Sequence, residues 1–123
     1  MKHNIAWFDI PVADLDRAIA FYSAVLGAAV SKEQSGSIPI GVLPTPDGQK
    51  MGCLVTGDAA RPSLDGVMLW FEVEGRLKAA LAAALANGGE LLGDVHAIGG
   101  YGFRAEVRDS EGNRIALYSS KDQ

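Results

Sequence analysis

The sequence WFDI at residues 7–10 returns as WFEV at residues 70–73, an offset of 63 positions. A second pair follows at nearly the same offset, because DGQKMGCL at residues 47–54 returns as EGNRIALY at residues 111–118, 64 positions later. Self-similarity at a fixed period is the signature of a repeated structural unit, and two copies indicate a duplicated module rather than a solenoid. The sequence therefore predicts two like halves, with a shared cleft where they meet.

Composition places the chain among ordinary globular domains. Its 123 residues, 48% hydrophobic and 21% charged, are enough for one domain with its own core. The net charge of −4 argues against nucleic acid or an anionic membrane as a partner, and no apolar run approaches the ~18 residues of a membrane span. The single cysteine, Cys53, fits a reducing compartment, and the start has no apolar stretch of signal-peptide type, so we expect a cytoplasmic protein.

Each half has the pattern of a strand, a helix and three further strands. Asp14 is a suitable N-cap for the first helix, and Gly27 and Gly88 are suitable residues to end the two helices. In the first half we predict a helix between Asp14 and Gly27 and strands at 5–12, 28–33, 38–44 and 49–56. In the second half we predict a helix at 76–87 and strands at 67–74, 89–95, 101–108 and 113–119.

These elements predict an α+β fold of two tandem βαβββ modules, at approximately 3–56 and 66–119, joined by a linker at 57–65. One such half cannot bury its sheet or protect its edges alone. Two halves joined edge to edge would give one curved eight-stranded mixed sheet, with the helices on the convex face and the concave face open as a cup. A rival fold is the ferredoxin-like sandwich, whose βαββαβ order would require the third strand of each half to be a loop. The prolines at 39, 44 and 46 leave room for that alternative.

This pattern resembles the glyoxalase/bleomycin-resistance/dioxygenase superfamily, also called the vicinal oxygen chelate proteins. The resemblance is carried by WFDIPVADLDRAIAFYSAVLG at residues 7–27, similar to the opening strand and helix of the family, and by GYGFRAEVRDSEGNRIALYS at residues 100–119, similar to its closing hairpin. It implies the duplicated βαβββ fold and, as in many members of this length, a homodimer. It says little about the reaction, because the family includes isomerases, dioxygenases, epimerases, thiol transferases and antibiotic-binding proteins without catalysis.

In metal-using members, the resemblance implies one divalent ion held by His or Glu side chains from the first and last strands of each half. Here those positions fall at Trp7, at Ala116, at Gly52 and at Met68 or Trp70. Indole, alanine and glycine offer no donor atom, and a thioether is a poor ligand for a hard cation. We therefore expect no metal and no other cofactor.

Strand alternation predicts which side chains line the cup. If Trp7 stands at a ligand position of the family, the cup is walled by aromatic side chains with a few polar groups, which is the usual form of a small-molecule site. A glycine-rich loop at 98–102 could gate the mouth of this site, next to His96, although a lone histidine is more often simply exposed. The predicted ligand-binding residues are Trp7, Met68, Trp70, Arg104, Ala116, Tyr118, Gly52 and His96.

Two carboxylates, Asp9 and Glu72, occupy symmetric places in the two halves. If they crowd each other in the cup, one would hold a proton and could act as a catalytic acid. Alternatively, they form structural ion pairs with Arg104 or Arg108, and the tryptophans simply fill the core.

Three functions follow from these alternatives. The first is a metal-independent protein that binds a small apolar or aromatic molecule in the cup. The second is a diverged lyase- or isomerase-type enzyme, related to lactoylglutathione lyase, that uses Asp9 or Glu72 as a metal-free acid or base. The third is a non-catalytic dimeric interaction module with a closed cup.

Overall fold

The structure, a computed structural model, describes residues 4–57 and 61–123. Within these residues two modules follow each other, each with the order strand, helix, strand, strand, strand. His3 and residues 58–60 of the predicted linker lie outside the described residues. The first module comprises β1 (Phe8–Pro11), α1 (Leu15–Leu26), β2 (Ser31–Ser35), β3 (Ile38–Pro44) and β4 (Lys50–Val55). The second comprises β5 (Leu69–Glu72), α2 (Leu77–Ala86), β6 (Glu90–Ala97), β7 (Phe103–Arg108) and β8 (Arg114–Ser119).

The α+β fold of tandem βαβββ modules is confirmed, and the ferredoxin-like order is wrong because three strands follow each helix. Each module forms a four-stranded sheet, with strand orders β1-β4-β3-β2 and β5-β8-β7-β6. In each sheet the first and last strands of the module pair in parallel, and the other pairs are antiparallel.

The expected single eight-stranded sheet is divided at the seam between β1 and β5, which are edge strands of separate sheets. Side chains close this seam where a main-chain ladder was expected. The rings of Phe8 and Phe71 meet edge to face with centroids 6.2 Å apart, and Asn113 Nδ2 donates to Pro11 O at 2.8 Å. The two halves therefore meet as predicted, but at this seam they are joined by side chains and not by a main-chain ladder.

Both helices pack against each other and share one hydrophobic core with the two sheets. Helix α1 contacts β3 and β4 of its own module, and its Tyr22 ring lies 5.6 Å from the ring of Phe71 in the other module. Its ends are those predicted: the Asp14 side chain accepts from Arg17 N at 3.1 Å, and Gly27 has a left-handed φ of 68°.

A buried polar network in the β7–β8 turn fixes this turn to helix α1. Asp109 is fully buried, and its Oδ1 accepts from the main-chain N–H groups of Glu111, Gly112 and Asn113 at 2.8–2.9 Å. Its Oδ2 accepts from the Tyr22 hydroxyl at 2.5 Å. The buried Asp109 carboxylate thus accepts hydrogen bonds from the N–H groups of its own turn and from a tyrosine of the first module, so it links the two modules.

Glu111 makes the second half of this network, at the N-terminus of α1. Its Oε1 accepts from Ala13 N at 3.0 Å and Asp14 N at 2.8 Å, and its Oε2 accepts from Arg17 Nε at 2.7 Å. Burial disfavours the charged carboxylate, but the hydrogen bonds from Arg17, Asp14, Ser110 and Ala13 outweigh this and lower the pKa of Glu111 to about 2.

Neither described helix has the length and apolar character that a crossing of the bilayer would require. The cytoplasmic location stays a prediction.

Candidate functional site

The face of the second sheet that points away from the helices is called here the open face. It carries Trp70, Glu72, Arg104, Ala116 and Tyr118, because the register places Trp70 opposite Ala116 and Glu72 opposite Tyr118, which in turn lies opposite Arg104. The alternate residues of these strands form the core. The prediction that these five side chains share a face therefore agrees with the strand register.

A charged cluster covers the middle of the open face. The Arg104 guanidinium lies over the Trp70 ring at 4.9 Å from its centroid, and its Nη2 lies 3.4 Å from Glu106 Oε2. The same nitrogen contacts His96 Nε2 at 3.2 Å, and Arg114 Nε donates to Glu106 Oε1 at 2.8 Å. Within residues 4–57 and 61–123, Arg104 Nε is a buried nitrogen without a hydrogen-bond partner. Glu106, a residue absent from the predicted site, thus pairs with both Arg104 and Arg114 on this face.

The loop after β6 is held by hydrogen bonds to its own backbone and to β8. Ile98 N donates to Gly102 O at 2.9 Å, and the Tyr118 hydroxyl donates to Tyr101 O. Gly102, with φ of 113°, packs so closely on β8 that an added Cβ would lie 2.7 Å from Ser119 O. The loop at 98–102, which was predicted to gate the site, is therefore a turn packed against β8 in this structure.

The first sheet carries Trp7, Asp9 and Cys53 on the side away from the helices. Cys53 Sγ donates to Asp9 Oδ1 at 3.2 Å, and the Trp7 side chain is 43% exposed. Burial raises the pKa of the Cys53 thiol, and a hydrogen bond from Trp7 opposes only part of that rise. The thiol is thus a buried, weakly polar group with raised pKa.

Gly52 lies apart from these residues, on the helix side of the sheet. It pairs with Phe8, and an added Cβ would lie 2.5 Å from Phe8 O and 2.8 Å from the Phe8 ring. A β-bulge puts Gly52 on this side of the sheet. Leu43 pairs with Gly52 but Pro44 pairs with Lys50, which leaves Met51 as an extra residue. Counting residues from the turn glycine ignores this extra residue and predicts that Gly52 lies on the side away from the helices. That prediction is wrong, because Gly52 lies on the helix side of the first sheet.

A cleft of about 390 Å³ lies at one end of the seam between the modules, and we call it the seam cleft. The aromatic rings of Phe8, Trp70 and Phe71 line it. The end of α1 at residues 26–28 and the turn at residues 44–46 complete its walls, together with Leu69 and Met51. Among the described residues that line it, Glu72 is the one that carries a charge. The sequence signal for this site was the aromatic WFEV repeat, whereas the contribution of residues 26–28 and 44–46 was missed.

The two symmetric carboxylates do not share a pocket. Glu72 lines the seam cleft, whereas Asp9 lines a smaller cleft of about 260 Å³ that also includes Arg61 and Arg114. Met68 is half-buried just before β5 and is not among the residues that line the seam cleft. The geometry therefore gives no support to an acid made by crowding Asp9 against Glu72.

The described residues do not fit a metal centre. In the parts of the chain that the structure describes, no three His, Cys, Asp or Glu side chains are grouped so as to hold an ion. Trp70 and Ala116, which face each other across β5 and β8, offer no lone pair to a divalent cation.

Comparison with known proteins places this fold in a family. The sequence profile of the Glyoxalase/Bleomycin resistance protein/Dioxygenase superfamily matches residues 4–117. No protein of curated function matches the chain in sequence.

Among solved structures, the chain is similar to a glyoxalase/bleomycin resistance protein from Albidiferax ferrireducens T118, with a TM-score of 0.75 and 22% identity over 93% of this chain and 96% of that one. It is also similar to a glyoxalase/bleomycin resistance protein/dioxygenase family enzyme from Burkholderia phytofirmans PsJN, with a TM-score of 0.72 and 16% identity over 97% of this chain and 100% of that one. A genomically encoded fosfomycin resistance protein, FosX, from Listeria monocytogenes gives a TM-score of 0.70 at 15% identity over 99% and 97% of the two chains. At these identities the structures show a common fold, and with the profile match they lead to one conclusion: the chain belongs to the glyoxalase/bleomycin resistance protein/dioxygenase superfamily.

Proposed function

We propose that this protein binds a small, largely apolar molecule in the seam cleft and does so without a metal ion. The observation that carries the proposal is the cleft itself, about 390 Å³ in volume with three aromatic rings in its lining. Small-molecule sites typically have volumes of roughly 300–1,000 Å³ and apolar, aromatic walls with a few polar groups. The seam cleft has that size and that composition.

The construction of the walls supports a preformed site. Phe71 is buried in the common core, and Pro44 and Pro46 limit the backbone freedom of the turn that also lines the cleft. Trp70 remains 45% exposed at the rim, so a ligand in the cleft would cover apolar surface that water now contacts. Burying that surface favours binding.

The test fills the cleft from an exposed position on its wall. Ala28 lines the cleft, whereas its exposed neighbour Ala29 does not, so Ala28→Phe and Ala29→Phe form a matched pair. The probe is 2-naphthalenemethanol, a neutral aromatic alcohol, and the readout is the thermal melting temperature. At a probe concentration of about one hundred times Kd, we expect wild type and Ala29→Phe to melt about 10 °C higher, and Ala28→Phe to show no shift.

A probe that fails to raise the melting temperature of wild type at millimolar concentration would contradict the proposal. Equal shifts in wild type and Ala28→Phe would place the binding site elsewhere on the molecule.

We also propose that the protein is a homodimer. Trp7 and Trp70 are 43% and 45% exposed, and Val67 between the modules is 89% exposed, so apolar surface remains on the outer side of the seam. Sedimentation equilibrium should give twice the chain mass at micromolar concentration, and a single-chain mass throughout would refute the dimer.

A further inference from the structure

We propose that the seam cleft selects ligands whose apolar body carries a positively charged amine. This rests on the proposed function, because it names the ligand class of the same cleft. The observations behind it are the isolated carboxylate of Glu72 in an apolar wall and the aromatic rings beside it.

Glu72 is exposed, and among the lining residues within 4–57 and 61–123 it is the one with a charge. In the described parts of the chain, its carboxylate has no hydrogen bond and no ion pair, in contrast to Glu106 and Glu111. A carboxylate accepts several hydrogen bonds, and an ammonium donates three. The cleft therefore offers an unused anionic acceptor next to an apolar surface.

Two arginines that lie against residues of this wall, Arg104 beside Trp70 and Arg76 beside Gly27, are engaged with other groups. Arg104 is held by Glu106 and His96 on the open face, and it is not among the residues lining the cleft. Arg76 donates through Nη1 to Val25 O at 2.7 Å, in the last turn of α1. Arg76 thus compensates the last turn of the helix, whose carbonyl end carries a partial negative charge, and leaves Glu72 uncompensated.

The aromatic wall adds a second attraction for a cation. An ammonium within ~6 Å of an aromatic ring is drawn to the negative face of the ring, most strongly for tryptophan. Trp70 already contacts one cation, the guanidinium of Arg104, at 4.9 Å. Because Trp70 and Glu72 both line the cleft, an amine placed there would meet a carboxylate and an aromatic ring together.

The experiment compares three probes that share one ring system: 2-naphthalenemethylamine, 2-naphthalenemethanol and 2-naphthoate. Their dissociation constants are measured by isothermal titration calorimetry at neutral pH and low salt. We expect the amine to bind about tenfold more tightly than the alcohol, and the carboxylate to bind most weakly. In Glu72→Gln the alcohol should bind as in wild type, and the advantage of the amine should fall to about twofold or less.

Glu90→Gln is the control, because it makes the same charge change on β6, at the far edge of the second sheet from β5. It should keep the full preference for the amine. Equal binding of amine and alcohol to wild type, or an unchanged preference in Glu72→Gln, would overturn the inference and leave the cleft intact as a neutral site. If the alcohol also fails to bind, the proposed function fails together with the inference.

Discussion

Replacing Glu111 by glutamine tests whether the buried network of the β7–β8 turn holds the fold together. The Glu111 side chain is fully buried in its ion pair with Arg17, and four of its hydrogen bonds come from main-chain or guanidinium donors at 2.7–3.0 Å. A glutamine keeps the size of the side chain, but it loses the charge and turns an NH₂ group toward groups that donate.

The expected magnitude follows from the pKa of Glu111. Its value falls from 4.5 to about 2 in the folded protein, a difference of about 2.5. At ~1.4 kcal/mol for each pKa unit, the charged carboxylate contributes about 3 kcal/mol to the free energy of unfolding. Because the folded pKa is the lower one, this contribution is complete above pH 4.5 and is lost as the pH falls toward 2.

The assay is urea unfolding of wild type and Glu111→Gln between neutral pH and the acid end of the folded range. We expect a difference of about 3 kcal/mol at neutral pH, which narrows steadily once the pH passes below 4.5. Glu90→Gln removes an exposed carboxylate 3.7 Å from Arg108 and should cost no more than about 0.5 kcal/mol. A difference for Glu111→Gln below about 1 kcal/mol, or one that does not change with pH, would refute the reasoning.

Three further predictions concern the interior. Gly52→Ala should lower the free energy of unfolding in urea by about 2–3 kcal/mol, because the added Cβ would lie 2.5 Å from the Phe8 backbone oxygen. The control Gly66→Ala, with open space around it, should lower it by less than about 1 kcal/mol, and equal effects would contradict the packing. Tyr22→Phe removes a buried 2.5 Å donor to Asp109 and should cost about 1–3 kcal/mol, and a neutral effect would show that the hydroxyl is not needed. The Cys53 thiol is buried with a raised pKa, so iodoacetamide should modify the folded protein far more slowly than the urea-unfolded chain, and equal rates would disprove its burial.

Much of the fold could be predicted from local rules. The repeat of WFDI as WFEV predicted that the second half has the same elements in the same order as the first, and Asp14 and Gly27 marked the ends of α1 correctly. The helix ends depend on capping residues that lie next to the helix in the sequence, so they can be predicted from it. The division into two sheets was not predictable in this way, because it depends on how Phe8 and Phe71 pack across the seam.

The site was harder to predict than the fold. A bulge at Met51 moved Gly52 to the other face, and alternation alone cannot reveal an extra residue. Nothing in the strand and turn pattern indicated that Asp109 and Glu111, between β7 and β8, are buried acceptors that bind α1 from across the chain. Long-range partners of this kind leave no signal in one sequence.

The most direct test of the central claim is a calorimetric titration of 2-naphthalenemethanol into protein freed of metal by EDTA and dialysis, with the metal content checked by elemental analysis. The account predicts saturable binding with one probe per chain and the same dissociation constant before and after metal removal. Binding that is lost with the metal and restored by adding zinc, nickel or manganese would contradict it.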